Sequence, residues 1–152
     1  MGSIPTPGTF SAATTPAAGS LMFQAVPFPP GTILWVALGG AVGSALRFGV
    51  SEAVRRLPAL SHLPWATLIV NVVGSLVIGW FLRWSTETDA SPQIRAFIAI
   101  GLCGGFTTFS AFAAENLTFL QAGQPGRALL HATASVLLSL AAVFAGYSLA
   151  RP

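Results

Sequence analysis

The 152-residue chain is 53% hydrophobic and only 7% charged, whereas a soluble domain carries roughly a quarter charged residues. So few charges cannot cover a surface that faces water, and the composition therefore predicts a membrane protein. Seven arginines outnumber four acids, and most of the arginines stand at the ends of apolar segments. This pattern is typical of helix ends anchored at a membrane surface rather than of a basic nucleic-acid-binding face, so we expect no nucleic-acid partner.

Residues 1–30 differ in composition from the rest of the chain. They carry no charge, are rich in proline, alanine, threonine, serine and glycine, and show no helical period. We therefore expect a disordered N-terminal extension. Residues 31–152 are predicted to form one transmembrane domain, because the connections between their apolar stretches are too short to build a second one.

Four apolar stretches follow, and each is long enough for a helix that spans a bilayer, which takes roughly 20 residues. They cover about residues 32–54, 64–84, 92–120 and 126–150. Tryptophans stand near both ends of the second stretch, as expected of an interfacial belt: Trp65, Trp80 and Trp84. The prediction is an all-α protein of the cell membrane with four transmembrane helices.

The arginines select no orientation in the membrane. Three lie in the first and third connections and three on the opposite side: Arg55, Arg56 and Arg127 against Arg83, Arg95 and Arg151. The positive-inside rule therefore predicts no preferred orientation. One explanation is a chance balance in a small sample. The other is a chain that inserts both ways and pairs as an antiparallel homodimer, since four short helices enclose too little space for a pathway.

The third stretch is too long for a straight crossing unless it tilts steeply. It contains the segment Gly104-Gly105-Phe106-Thr107-Thr108-Phe109. Consecutive glycines tolerate non-helical backbone, so we predict that the third helix is broken at this segment. Carbonyl groups freed by such a break inside the bilayer need partners, and they are a ready site for a cation.

Polar side chains recur every four residues on the second and fourth stretches, which puts each set on one helix face. The two sets are Thr67, Asn71 and Ser75, and His131, Ser135 and Ser139. Interhelical hydrogen bonding is one interpretation, because an unpaired polar group in hydrocarbon is costly. The other is a polar line along which a solute sheds its water.

Two phenylalanines after the predicted break, Phe109 and Phe112, are three residues apart and share a helix face. Ordinary packing or lipid contact is one interpretation of such a pair. Because the edge of an aromatic ring is electropositive, the other interpretation is a pair of rings that stabilise a bare anion. Thr108, Ser110 and Asn71 offer neutral hydrogen-bond donors nearby.

Arg47 is the one arginine well inside an apolar stretch. At that depth it must extend to the membrane surface or face protein or water, so we assign it a role in function or assembly. Gly39 and Gly43, on the same stretch, form a small-residue stripe that favours close helix packing.

These residues resemble the Fluc/CrcB family of fluoride channels over about residues 31–150. The similarity is carried by three strings: Gly39-Gly40-x-x-Gly43-x-x-x-Arg47, Thr67-x-x-x-Asn71-x-x-Gly74, and Gly104-Gly105-x-Thr107-Thr108-Phe109-Ser110-x-Phe112. The last string is highly specific, whereas the glycines of the first are weak on their own.

The resemblance implies a dual-topology antiparallel homodimer with two fluoride pores, one on each side of the dimer axis. Family members place aromatic rings, a neutral donor and a track of hydroxyl groups along each pore. The matching positions are, in that order, Phe109 and Phe112, Asn71, and Ser135 with Ser139.

The resemblance also implies a structural sodium ion at the centre of the dimer, held by backbone carbonyls at the break of the third helix. The matching carbonyls are those of Gly104 and Thr107. Glu115 matches an acidic residue near the end of the pore, and Arg47 matches an arginine of the first helix.

Three positions depart from the family pattern. Phe106 follows the two glycines where a smaller aliphatic residue is common, and Ala111 replaces a hydroxyl residue between the two phenylalanines. His131 stands where many relatives have tyrosine. We expect these departures to bear on rate and pH dependence rather than on the kind of protein.

The function implied is passive export of fluoride, which enters as neutral HF, ionises in the cytoplasm and is trapped there. The sequence contains no nucleotide-binding motif, and we expect no enzymatic activity. The alternative is a dual-topology exporter of lipophilic cations, which requires a carboxylate embedded in the first helix, whereas Glu52 lies at the end of that stretch. A non-conducting assembly subunit leaves the two polar lines unexplained.

Overall fold

The computed structural model describes residues 29–57 and 64–150, and the predicted N-terminal extension falls outside them except at its last two residues. The described residues form helices and no strand: α1 (Thr32–Arg55), α2 (Trp65–Glu87), α3 (Pro92–Arg95), a π-helical segment (Ala96–Leu102), α4 (Cys103–Phe106), α5 (Phe109–Gln121) and α6 (Pro125–Leu149).

Four helical spans within the described residues are long and apolar enough to cross a membrane: Thr32–Arg55, Trp65–Glu87, Pro92–Gln121 and Pro125–Leu149. The all-helical fold class and the four spans are thus confirmed. Proline marks where two of the spans begin, because its fixed φ angle suits the first turn of a helix and its missing N–H is not needed there. Pro92 begins α3 and Pro125 begins α6.

The third span changes conformation along its length. A π-helical segment precedes α4, and then Thr107 (φ −80°, ψ 160°) and Thr108 (φ −153°, ψ 119°) adopt extended backbone before α5 begins. Gly104 and Gly105 themselves are helical. The residues outside the helix are therefore the two threonines.

Glycines bring helix backbones into direct contact at two places, whereas a Cβ atom on Gly104 would meet nothing within 4 Å among the described residues. A Cβ atom on Gly43 would strike the carbonyl oxygen of Leu102, and one on Gly105 would strike that of Gly40, so α1 lies directly against the third span. On the other side of the bundle, a Cβ atom on Gly146 of α6 would strike the carbonyl oxygen of Leu76 in α2.

The outer faces of the spans are apolar, and the buried interior is small. Phe81 and Val70 are the fully buried large side chains of the described residues, whereas Ile33, Phe144 and Leu149 are each more than 70% exposed. In a bilayer such side chains contact lipid, so this surface agrees with a membrane location.

Candidate functional site

Asn71 of α2 joins its helix to the extended residues of the third span. Its Oδ1 accepts a hydrogen bond from the Thr108 amide at 2.8 Å, and its Nδ2 donates to the Thr108 carbonyl at 3.1 Å. Backbone groups that leave a helix inside a bilayer need partners from the protein. Asn71 Oδ1 supplies the acceptor that the Thr108 amide needs, and Nδ2 adds a donor to the Thr108 carbonyl, which lies at the N-cap of α5.

The same two threonines close both helix ends. Thr107 donates both its amide and its hydroxyl to the Cys103 carbonyl, at 3.0 and 2.8 Å, and so ends α4. The Thr108 hydroxyl accepts from the Ala111 amide at 3.1 Å as the N-cap of α5. It also shares a 3.1 Å hydrogen bond with the hydroxyl of Ser110.

Asn71 and the threonines line a groove with a cavity volume of about 430 Å³. Its lining combines the end of α4, the start of α5, one face of α2 and one face of α6. The lining residues that the sequence analysis singled out are Asn71, Ser75, Gly104, Thr107, Thr108, Phe109, Phe112, Ser135 and Ser139. None of the described residues that line the groove is charged.

The two phenylalanines form an aromatic pair at the groove. Their ring centroids are 5.3 Å apart with an angle of 39° between the planes. Phe112 is half-buried, whereas Phe109 is 79% exposed. The single chain therefore leaves one ring uncovered, and the groove is open at that ring.

On α6, Ser135 and Ser139 continue the polar lining. Only 5% of the surface of Ser135 is exposed. Its Oγ is buried and has no hydrogen-bond partner among the described residues. A buried hydroxyl left without a partner costs stability. It is therefore a group that a polar solute in the groove would satisfy.

Three other predicted residues, Thr67, Glu115 and His131, form a second cluster, which lies outside the groove lining. The Thr67 hydroxyl donates to Glu115 Oε1 at 2.6 Å, and the second carboxylate oxygen, Oε2, lies 3.8 Å from His131 Nε2. The His131 ring packs on Phe112 with centroids 5.3 Å apart. The stripe of α2 thus divides, with Thr67 in this cluster and Asn71 in the groove.

Arg47 lies on α1 and is not among the residues that line the groove. Its backbone carbonyl accepts from the Ser51 hydroxyl at 3.0 Å. The structure therefore brings together the predicted residues of α2, the third span and α6, but not the arginine of α1.

A family model described as CrcB-like protein, Camphor Resistance (CrcB), matches residues 34–147. The chain belongs to the CrcB family. The resemblance inferred from the three residue strings is thereby confirmed, and the matched range includes every described residue of the groove and of the second cluster.

Curated CrcB relatives carry the name fluoride-specific ion channel FluC. One from Thermus thermophilus is 48% identical over 116 residues, which is 76% of this chain and 92% of the relative. Another from Hyphomonas neptunium is 48% identical over 121 residues, 78% of this chain and 94% of the relative. A third, from Bacteroides fragilis, is 42% identical over 116 residues, which is 75% of this chain and 91% of the relative. With four apolar spans, this CrcB protein is a multi-pass membrane protein.

Sequence reasoning on this CrcB chain missed Asn116. Its Nδ2 lies 2.8 Å from the Phe112 carbonyl and 3.1 Å from His131 Nδ1, so it joins the phenylalanine to the histidine. The signal was present, since an amide inside an apolar span requires partners, and Asn116 is one helical turn after Phe112. The apolar lining residues Ile78, Ala99 and Val136 carry no such signal.

Proposed function

We propose that this chain is a fluoride-selective ion channel that exports fluoride passively and so lowers its cytoplasmic concentration. The observation that carries the proposal is the uncharged groove, in which Phe112, Asn71 and Ser135 meet beside the interrupted helix, in a chain 48% identical to proteins named fluoride-specific ion channels.

The chemistry of the groove suits a small anion that must lose its water. Ring edges of Phe109 and Phe112 offer weak positive charge, and the second amide hydrogen of Asn71 and the hydroxyl of Ser135 offer neutral donors. A fixed arginine would hold other anions as well, so weak and closely placed donors favour selectivity. A potential that is negative inside drives the anion outward by about 2.3 kcal/mol per 100 mV without further energy input.

The pathway is proposed to be completed by a second copy of the chain. Phe109 is 79% exposed in one copy, and the groove is open at that ring. An antiparallel homodimer with dual topology agrees with the equal division of arginines between the two sides, and its symmetry gives two equivalent grooves.

Sodium is proposed as the structural ion of this dimer, held by the carbonyls of Gly104 and Thr107. In a continuous helix these carbonyls would accept from the amides of Thr108 and Ala111. Here the Thr108 amide donates to Asn71, and the Ala111 amide donates to the Thr108 hydroxyl. Both carbonyls have thus lost their ordinary helical donors, and Gly104 is exposed on the surface of one chain. These groups fit a hard cation with oxygen ligands.

The exporter alternative gains no support from the acid of α1, the helix in which that mechanism requires an embedded carboxylate. Glu52, the carboxylate of α1, is bound by Arg55 at 2.6 Å and by Arg56 at 3.1 Å near the helix end. A carboxylate neutralised in this way is not available to exchange protons for an organic cation.

Efflux from liposomes tests the proposal. Purified protein is reconstituted into liposomes loaded with potassium fluoride or potassium chloride, and a potassium ionophore then provides the counter-current. We expect fluoride to leave far faster than chloride, with protein-free liposomes as the control for HF leak. Equal efflux of the two anions, or none of either, would overturn the channel assignment.

A further inference from the structure

His131 lies in a polar cluster next to the proposed fluoride route rather than in the route itself. Only 5% of the surface of this residue is exposed. It packs on Phe112 and, at a centroid distance of 6.3 Å, on Phe119. Both ring nitrogens face side chains of α5, namely those of Asn116 and Glu115.

The Asn116 amide decides which of the two nitrogens carries the proton. Asn116 Nδ2 lies 2.8 Å from the Phe112 carbonyl, which only accepts hydrogen bonds, so this atom is the amide nitrogen and not the oxygen. The same nitrogen lies 3.1 Å from His131 Nδ1. Since an amide nitrogen only donates, Nδ1 must accept and carries no proton.

The proton of the neutral ring is therefore on Nε2, the nitrogen 3.8 Å from Glu115 Oε2. Both of these atoms are buried, and neither has a hydrogen-bond partner among the described residues. A donor nitrogen thus lies close to an acceptor oxygen that needs a donor. The other oxygen of Glu115 accepts from Thr67 of α2, so the chain of contacts runs from the Phe112 backbone to α2.

We infer that His131 is a positioning residue: a neutral imidazole, protonated on Nε2, that accepts from Asn116 beside the Phe112 turn and directs its N–H toward Glu115, which is bound to α2. A second proton would have to enter at Nδ1, where the Asn116 N–H already points, so charging the ring requires this amide to rotate. The consequence of this role for fluoride rests on the proposed function, because Phe112 is one of the rings in the groove.

One neighbour of the ring can oppose this assignment, since an ionised carboxylate beside an imidazole favours its charged form. Glu115 on α5 is the ionisable residue within ion-pair distance of His131 in the described part of the chain. The other neighbours are the uncharged Asn116, Phe112 and Phe119 on α5, and α2 contributes the Thr67 hydroxyl through Glu115.

Nitrogen-15 NMR on histidine-labelled protein in lipid nanodiscs tests the tautomer without any transport. His62, the other histidine of the chain, is replaced by glutamine so that one imidazole remains. We expect the signals of a neutral ring protonated on Nε2 throughout about pH 5 to 8, the range in which a free histidine changes charge. An imidazolium signal in that range, or a proton on Nδ1, would overturn the assignment.

Asn116→Asp supplies the matched variant, because it keeps the shape but turns the donor facing Nδ1 into an acceptor. We expect this variant to acquire an imidazolium signal on acidification and a fluoride efflux that depends on pH. The double variant Asn116→Asp, His131→Gln should lose that dependence. A pH profile of efflux that is identical in the parent and in Asn116→Asp would contradict the proposal that the Asn116 amide keeps Nδ1 unprotonated.

Transport variants separate positioning from simple packing. His131→Phe keeps a ring against Phe112 but lacks both nitrogens, and we expect fluoride efflux to fall about fivefold, as for the loss of one hydrogen bond. His131→Gln offers one acceptor and one donor at similar spacing and should restore most of it. Equal efflux from the parent and His131→Phe would remove the positioning role. If the parent released no fluoride, the proposed function would fall, while the ring signals would still decide the tautomer.

Discussion

Asn71 binds both backbone groups of Thr108 with one side-chain amide, at 2.8 Å through Oδ1 and at 3.1 Å through Nδ2. Asn71 Oδ1 thus replaces the helical acceptor that the Thr108 amide lacks, and Nδ2 adds a second donor to the Thr108 carbonyl at the N-cap of α5. The side-chain amide also fixes the distance between α2 and the start of α5, and hence the position of the phenylalanines relative to the polar face of α2.

Replacing Asn71 with leucine should leave the Thr108 amide without a partner and remove a second hydrogen bond to the Thr108 carbonyl. We expect the unfolding free energy to fall by about 2–4 kcal/mol, the cost of one unpaired buried group and one lost hydrogen bond, and fluoride efflux to be lost. Thermal unfolding of the purified protein measures the first effect. Ser75→Ala, one turn further along α2 in the same groove, is the control and should cost less than about 1 kcal/mol. Similar losses in the two variants would contradict this role.

Phe109→Ile should impair transport without weakening the fold. The ring is 79% exposed in one chain, so its removal loses little packing within that chain, whereas its electropositive edge is part of the proposed route. We expect fluoride efflux to drop at least about tenfold, with the dimer retained on size-exclusion chromatography. Phe144→Ile, which changes a ring that is 71% exposed on α6 and outside the groove lining, is the matched control. Unchanged flux in Phe109→Ile would remove this ring from the mechanism.

Gly146→Ala should separate α6 from α2. The added Cβ atom would strike the Leu76 carbonyl oxygen, which belongs to the backbone and cannot move aside. Overpacking of this kind costs about 1–3 kcal/mol, and thermal unfolding measures it. Gly49→Ala on α1 meets nothing within 4 Å among the described residues and should be neutral or stabilising by up to about 1 kcal/mol. A smaller loss at position 146 than at position 49 would refute the packing argument.

Removing sodium should weaken the proposed dimer. If sodium is present at 100 times its dissociation constant, binding stabilises the folded state by about 2.7 kcal/mol. Replacing it with N-methylglucamine at constant ionic strength should therefore lower the melting temperature, and returning sodium should restore it. Melting temperatures that are the same in both buffers would argue against the ion.

Much of the fold follows from the amino-acid sequence alone. Apolar length determines the four spans, because a helix of roughly 20 apolar residues matches the bilayer. The string around Gly104 and Phe109 also identified the family, which is confirmed. The order of residues in that string does not say which of them are helical: Gly104 and Gly105 are, whereas Thr107 and Thr108 have extended backbone.

Tertiary structure decided how the polar residues pair. Thr67 and Asn71 lie on one stripe of α2, yet the first binds Glu115 and the second binds the Thr108 backbone, because the interrupted span presents different groups at the two depths. The same holds for His131, whose proton is placed by the amide of Asn116 across the gap between two helices. The helical period specifies which side chains share a face. The partner of a buried polar group depends instead on which residues of the neighbouring helix lie opposite it, and the period of one helix carries no information about them.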